Sequence, residues 1–244
     1  MKLTIIGHWG GYPKAGEAST GYLLEHNGFT LLVDCGSGVL SHLQKHIDPT
    51  ELDAVLISHY HPDHIADIGV LQHALLIQYF LGKSKGTLPV YAHNEDTQGF
   101  RSLTYKDFMK AHAYSEQSRL TIGPFLVTFV KTKHPVPCYG MRIEADGKSI
   151  FYTADSAFKE SFVPFGKDAD LLLCECNFYG NMDASGAGHM TSLDAGKLAH
   201  ETGVKKLVLT HLPHFGDLEQ LVAEAKTIYK GDVKLAGQDM EIII

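Results

Sequence analysis

Residues 59 to 64 read His-Tyr-His-Pro-Asp-His, directly after the apolar run 54–57. A short apolar run bounded by turn residues predicts a buried strand, which puts these six residues at its carboxyl end. There His59 and His61, two apart, point to one side, and Pro62 turns the chain so that Asp63 and His64 face the same spot. In a random chain of this composition, three histidines and an aspartate arise at those offsets only about 0.004 times. The run constrains the fold, because a ligand cluster at one strand end needs other strand ends beside it. His134 follows the predicted strand 125–131, Asp155 follows 149–153 and His211 follows 206–210. Loops at one end of an α/β sheet build a common pocket. Taken alone, each of these three residues reads as a turn or cap residue; beside the run at 59–64 they become candidate ligands.

The rest of the chain reads as strands and helices in alternation. Strands are predicted at 3–7, 21–25 and 30–34, the last two joined by a His26-Asn27-Gly28 turn. A helix is expected over 39–46. A longer one is expected over 65–81, where Ile65, Ile68, Leu71, Leu75 and Tyr79 recur at helical spacing. Val70, Ile77 and Phe80 make its other face apolar too, which points to burial on two sides, by the core and by a second protomer. Residues 88–92 form the next strand, 94–116 read as helical or irregular, and 119–131 as two strands broken at Gly123-Pro124. Segments 138–145 and 149–153 flank Asp146-Gly147, a hairpin signal. A strand at 170–174, helices at 192–201 and 218–228, the strand at 206–210 and closing strands complete the chain, with no short-period repeat. This order predicts an α/β fold of two sheets face to face with helices outside, a four-layer αββα sandwich. A length of 244 residues suits one domain over 1–244.

Composition narrows the partners. With 21 Lys and Arg against 28 Asp and Glu, the formal net charge is −7, which disfavours a surface built to grip nucleic acid or an anionic membrane. No run reaches the ~18 apolar residues of a bilayer span, and the N-terminal apolar run is too short for a signal peptide, so a cytoplasmic location is expected. Cys35, Cys138, Cys174 and Cys176 are then expected as thiols, with Cys174-Glu175-Cys176 holding no metal. The loop 7–16 lacks the Gly-Lys-Ser/Thr of a phosphate-binding loop. It reads as a flexible rim on which His8 and Trp9 are candidate substrate contacts.

The order His59-x-His61-x-Asp63-His64, then His134, Asp155 and His211, resembles the metallo-β-lactamase superfamily, whose signature is HxHxDH followed by a distant His, Asp and His. The resemblance spans nearly the whole chain. TGYLLEHNGFTLLVDCGSG resembles that family's early strand pair, ending in Asp34, an aspartate that there supports the metal-binding loop from behind. The resemblance implies two divalent ions, one held by His59, His61 and His134, the other by Asp63, His64 and His211, with Asp155 bridging. Imidazole and carboxylate without thiolate suit Zn2+, and Mn2+ or Fe fit the same set. Two such ions activate water and polarise a substrate oxygen, which is hydrolytic chemistry; Asp63 is placed to orient that water or take its proton.

Within the superfamily, His189-Met190-Thr191 before a predicted helix resembles the His-x-Thr motif of the tRNase Z-like phosphodiesterase branch. This implies that His189 touches the scissile phosphate or protonates the leaving oxygen. A histidine at a helix N-terminus stands where anions are favoured; the plainer reading makes it a loop residue beside a capping Thr191 or Ser192. Members that process tRNA carry a long arm between the third histidine and the bridging aspartate, whereas only residues 135–154 separate His134 from Asp155. With the net charge, this favours a small or cyclic phosphodiester over nucleic acid. Thioester or lactone hydrolysis is the alternative, weakened because only 33 residues follow His211, less than the helical substrate domain of glyoxalase II-like members. A tRNA 3′-processing endonuclease and a metal-stabilised binding module without turnover also stay open. A diiron oxidoreductase is disfavoured by His61, which that branch commonly replaces with glutamate. The branch also implies a homodimer, compatible with the two-faced helix at 65–81.

Overall fold

The opening apolar run folds as β1 (Lys2–Gly7), followed by a hairpin of β2 (Gly21–His26) and β3 (Phe29–Val33). Asn27 and Gly28 close that hairpin with φ of 49° and 78°, the two positive values a tight two-residue turn requires. The computed structural model describes residues 1–184 and 186–244. It divides into two units, Met1–Ser115 with Gln238–Ile243, and Glu116–Gly237 with Ile244.

In the first unit, β1, β2 and β3 pair antiparallel, and β4 (Ala54–Leu56), β5 (Leu88–His93) and β6 (Met109–Tyr114) continue the sheet in parallel. The chain's final strand, β14 (Glu241–Ile243), returns to the far edge and pairs antiparallel with β1. β4 is buried throughout, which is why its sequence shows no polar alternation. Its helices are α1 (Val39–Leu43), α2 (Pro62–Ile65), α3 (Ile68–Phe80) and α4 (Thr97–Ser102).

Two local expectations change. The helix predicted over 65–81 is broken at Asp67, whose N–H donates to Cys35 O (3.1 Å) and whose carboxylate accepts from Leu40 N (2.9 Å), taking Asp67 out of the helical ladder. α3 buries Ile68 and Leu71, but Val70, Ile77, Tyr79, Phe80 and Leu81 are exposed, Phe80 by 77%. Residues 94–116 contain the short helix α4 and a full strand, β6, hidden because an edge strand with exposed Lys110 and His112 shows little apolar pattern.

In the second unit, β7 (Arg119–Ile122), β8 (Phe125–Lys131), β9 (Tyr139–Ala145) and β10 (Lys148–Tyr152) pair antiparallel in turn, and β11 (Leu171–Glu175), β12 (Lys206–Thr210) and β13 (Asp232–Leu235) follow in parallel. The β9–β10 turn is again a pair of positive φ values, Asp146 at 48° and Gly147 at 74°. Among the described residues, each sheet therefore has seven strands, three antiparallel pairings and then three parallel ones, a common plan with no matching short-period repeat in the sequence. The helices are α5 (Phe162–Gly166), which the sequence pattern had not indicated, α6 (Ser192–Thr202) and α7 (Leu218–Ile228). No helix among the described residues is long and apolar enough to cross a membrane.

Candidate metal centre

In the first unit the ends of β3 and β4 are tied together by Asp34. This fully buried carboxylate accepts from Ser58 N (2.7 Å), Ser58 Oγ (2.8 Å) and His64 Nδ1 (2.9 Å). Ser58 has one hydroxyl proton and gives it to Asp34, so its oxygen accepts from His59 Nδ1 (3.0 Å). Both rings are thereby held through Nδ1, which fixes their tautomers and leaves each Nε2 as the ligand atom. His59 Nε2 stands 3.0 Å from His61 Nδ1, close to the ~3.3 Å between two nitrogens bound tetrahedrally to one ion at ~2.0–2.1 Å. His61 has the extended backbone that a following proline imposes, and Pro62 opens α2, so Asp63 and His64 fall in its first turn. The Asp63 carboxylate accepts from Gly11 N (2.7 Å) and its carbonyl from Thr20 N (3.1 Å). Gly36 lies so close beneath that a Cβ there would sit 1.9 Å from Asp63 O, so no other residue fits. The supporting role expected of Asp34 matches this geometry.

In the second unit, His134 follows β8, Asp155 follows β10 and His211 follows β12. His134 donates from Nδ1 to Gly188 O (3.0 Å), turning Nε2 toward Asp155 Oδ2 at 4.0 Å. His211 Nε2 lies 3.3 Å from the same oxygen, and the Asn177 amide donates to His211 O (2.9 Å). One carboxylate oxygen thus stands between two imidazoles. Burial lowers the His134 pKa, Asp155 opposing it, which keeps the ring in the neutral form a ligand needs.

His189 joins this group: its ring stacks on His211 (centroids 5.3 Å) and meets His134 edge-on (5.2 Å). Its Nδ1 donates to Glu175 Oε1 (2.9 Å), which also accepts from Ser156 N (2.8 Å). Glu175 is fully buried and is the residue that sequence reasoning missed. It sits between two cysteines, and only its place as the one acid in a buried strand end could have revealed it. Cys174 and Cys176 are buried, and that burial pushes their thiols well above the ordinary range. In the loop after β1, His8 and Trp9 are buried, 4% and 3% exposed, and burial pushes the His8 imidazole down to about 4.

All the donors so placed are imidazole or carboxylate, the set that suits a divalent ion of zinc's class. Residues 30–212 match the β-lactamase superfamily domain. The chain belongs to that superfamily. It is 54% identical over 236 residues to the probable metallo-hydrolase YhfI of Bacillus subtilis (strain 168), covering 97% of each chain. The crystal structure of YhfI, a metallo-β-lactamase fold protein, matches with a TM-score of 0.98 at 51% identity, covering 99% of this chain and 98% of that one. Ribonuclease Z of Methanopyrus kandleri is 27% identical over 264 residues, 94% of this chain and 93% of its own. A diphosphatase of the PhnP family shares the fold, with a TM-score of 0.80 at 17% identity over 100% of this chain and 97% of that one. The superfamily fold is α/β, two mixed sheets flanked by helices, and the chain is a metal-dependent hydrolase with a His/Asp metal site.

Proposed function

We propose that this superfamily member is a phosphodiesterase acting on a small or cyclic phosphodiester through a dinuclear centre. In this reading His59, His61 and His134 hold one ion, Asp63, His64 and His211 hold the other, and Asp155 is common to both. It is supported within each unit: in the first, His59 Nε2 stands 3.0 Å from His61 Nδ1 and His64 Nε2 3.6 Å from Asp63 Oδ2, and in the second, Asp155 Oδ2 stands 4.0 Å from His134 Nε2 and 3.3 Å from His211 Nε2. The two units then work as one hydrolase domain. Zn2+ is the preferred ion on donor chemistry, with Mn2+ or Fe as substitutes. Two bound ions would supply an activated water and neutralise charge on the phosphoryl oxygens.

The observation that carries the phosphodiesterase reading is the Glu175–His189 pair. A buried carboxylate accepting from Nδ1 at 2.9 Å fixes the ring and leaves its Nε2 for a phosphoryl or leaving oxygen. His189 then donates to the departing oxygen, and Asp63 orients the attacking water and accepts its proton. The β9–β10 hairpin takes up most of the chain between His134 and Asp155, and its two-residue turn leaves no place for a nucleic-acid clamp. The net charge of −7 points the same way. Homodimerisation through the exposed face of α3, and a cytoplasmic setting for the buried thiols, belong to the same proposal.

The test is initial rates on metal-reconstituted protein with bis-p-nitrophenyl phosphate against matched p-nitrophenyl thioester and lactone-type substrates, beside a metal-stripped control. Metal-dependent phosphodiester cleavage is expected, and His189→Ala is expected to lower kcat by about 10²–10⁴-fold with metal content intact. Preference for the acyl substrates with His189 dispensable would move the chain to thioester or lactone hydrolysis. Asp155→Ala is expected to lower metal content measured by elemental analysis; two tightly held ions in that variant would refute the shared ligand.

A further inference from the structure

The loop between β1 and β2 is long and glycine-rich, yet it is closely tied down. The amides of His8 and Trp9 both donate to Ala18 O (3.2 and 3.4 Å), Glu17 N donates to Lys14 O (3.0 Å), and Tyr12 N to Gly10 O (2.9 Å). The Trp9 indole N–H donates to Glu17, and the Lys14 ammonium lies over the same ring, 3.9 Å from its centroid. Ala18 N donates to Gln238 Oε1 (3.2 Å), and the Gln238 amide donates to Ile6 O. At the tip, Gly11 holds φ at 75° and aims its N–H at Asp63 Oδ2, 2.7 Å away. The space around Gly11 is open, so a side chain there meets nothing but is strained by that φ.

We infer that Trp9, Glu17 and Gly11 are positioning residues for Asp63. The Trp9–Glu17 clasp keeps the loop in the shape in which the Gly11 N–H fixes the Asp63 carboxylate in the rotamer that the second ion requires. The inference rests on the reading of Asp63 as a ligand of that ion. A carboxylate already held by an N–H has less rotamer freedom to lose when an ion binds, and contacts of this outer kind typically change metal affinity by ~10–100-fold.

Calorimetric titration of the metal-stripped protein with Zn2+, supported by visible spectra with Co2+, reads each ion separately and needs no turnover. Gly11→Ala, Trp9→Phe and Glu17→Ala are each expected to weaken the second ion by roughly 10-fold or more while the first ion binds as in the parent. Glu17→Gln, whose amide oxygen still accepts from the indole, is expected to restore the second ion. Parental affinity for both ions in all three variants overturns the inference. So does equal weakening of both, which is what a general loosening of the fold would give. Gly11→Ala, in open space, carries the test if Trp9→Phe fails to fold. Asp63→Asn separates this inference from the reading beneath it. Parental affinities there would remove Asp63 as a ligand, whereas loss of the second ion only in Asp63→Asn would remove the loop's role alone.

Discussion

At the scale of single residues, burial decides what each titratable group can do. Glu175, in a fully buried strand end, accepts from both Ser156 N and His189 Nδ1. His8 has no such partner and is held neutral by burial, down to about pH 4 against 6.5 for an unburied imidazole. Between those values the unfolded chain binds a proton that the folded one refuses. Stability is therefore expected to fall as pH drops from 6.5 toward 4, by up to about 3 kcal/mol from this group, and to be unaffected by it above that window. Denaturant titrations across that window should show a flatter pH dependence in His8→Phe; an unchanged slope would remove His8 as the source. The candidate ligands were legible in the sequence because the run His59 to His64 is local and dense. Glu175 was not, because its partner is fourteen positions away and its meaning depends on a strand end and a loop that meet only in the fold.

At the scale of elements, caps and turn pairs explain both what could be read and what could not. Asn27-Gly28 and Asp146-Gly147 announced their hairpins because each turn demands two positive φ values that few residue pairs supply. Asp67 looked like a polar position on one long helix, and only its bonds to Cys35 and Leu40 show why α2 and α3 are separate. α6 begins with a reciprocal cap, Thr191 accepting from Asp194 N (3.1 Å) and Asp194 accepting from Thr191 N (3.0 Å). His189 stands two residues before it. Thr191→Ala is expected to cost about 1 kcal/mol in chemical denaturation and to lower kcat as well, since the same turn orients His189. A stability loss with kcat unchanged would show that the cap serves the helix alone.

At the scale of the whole molecule, the two sheets share a plan: Asp34, which supports the run at 59–64, and the candidate ligand Asp155 each come just after the fourth strand in the order of their sheet, where pairing changes from antiparallel to parallel. The exposed apolar residues of α3 carry the proposed dimer. Phe80→Glu is expected to halve the mass measured by light scattering while leaving the melting temperature within a few degrees; a parent that is already monomeric would remove that proposal. The return of β14 and Gln238 to the unit that β1 begins also has a consequence during synthesis. The ribosome releases the last pieces of the first unit only after Glu116–Gly237 of the second have been made. A nascent chain stopped at residue 237 already contains every candidate ligand, yet lacks the glutamine that clamps the loop over Asp63 and the strand that covers the edge of β1.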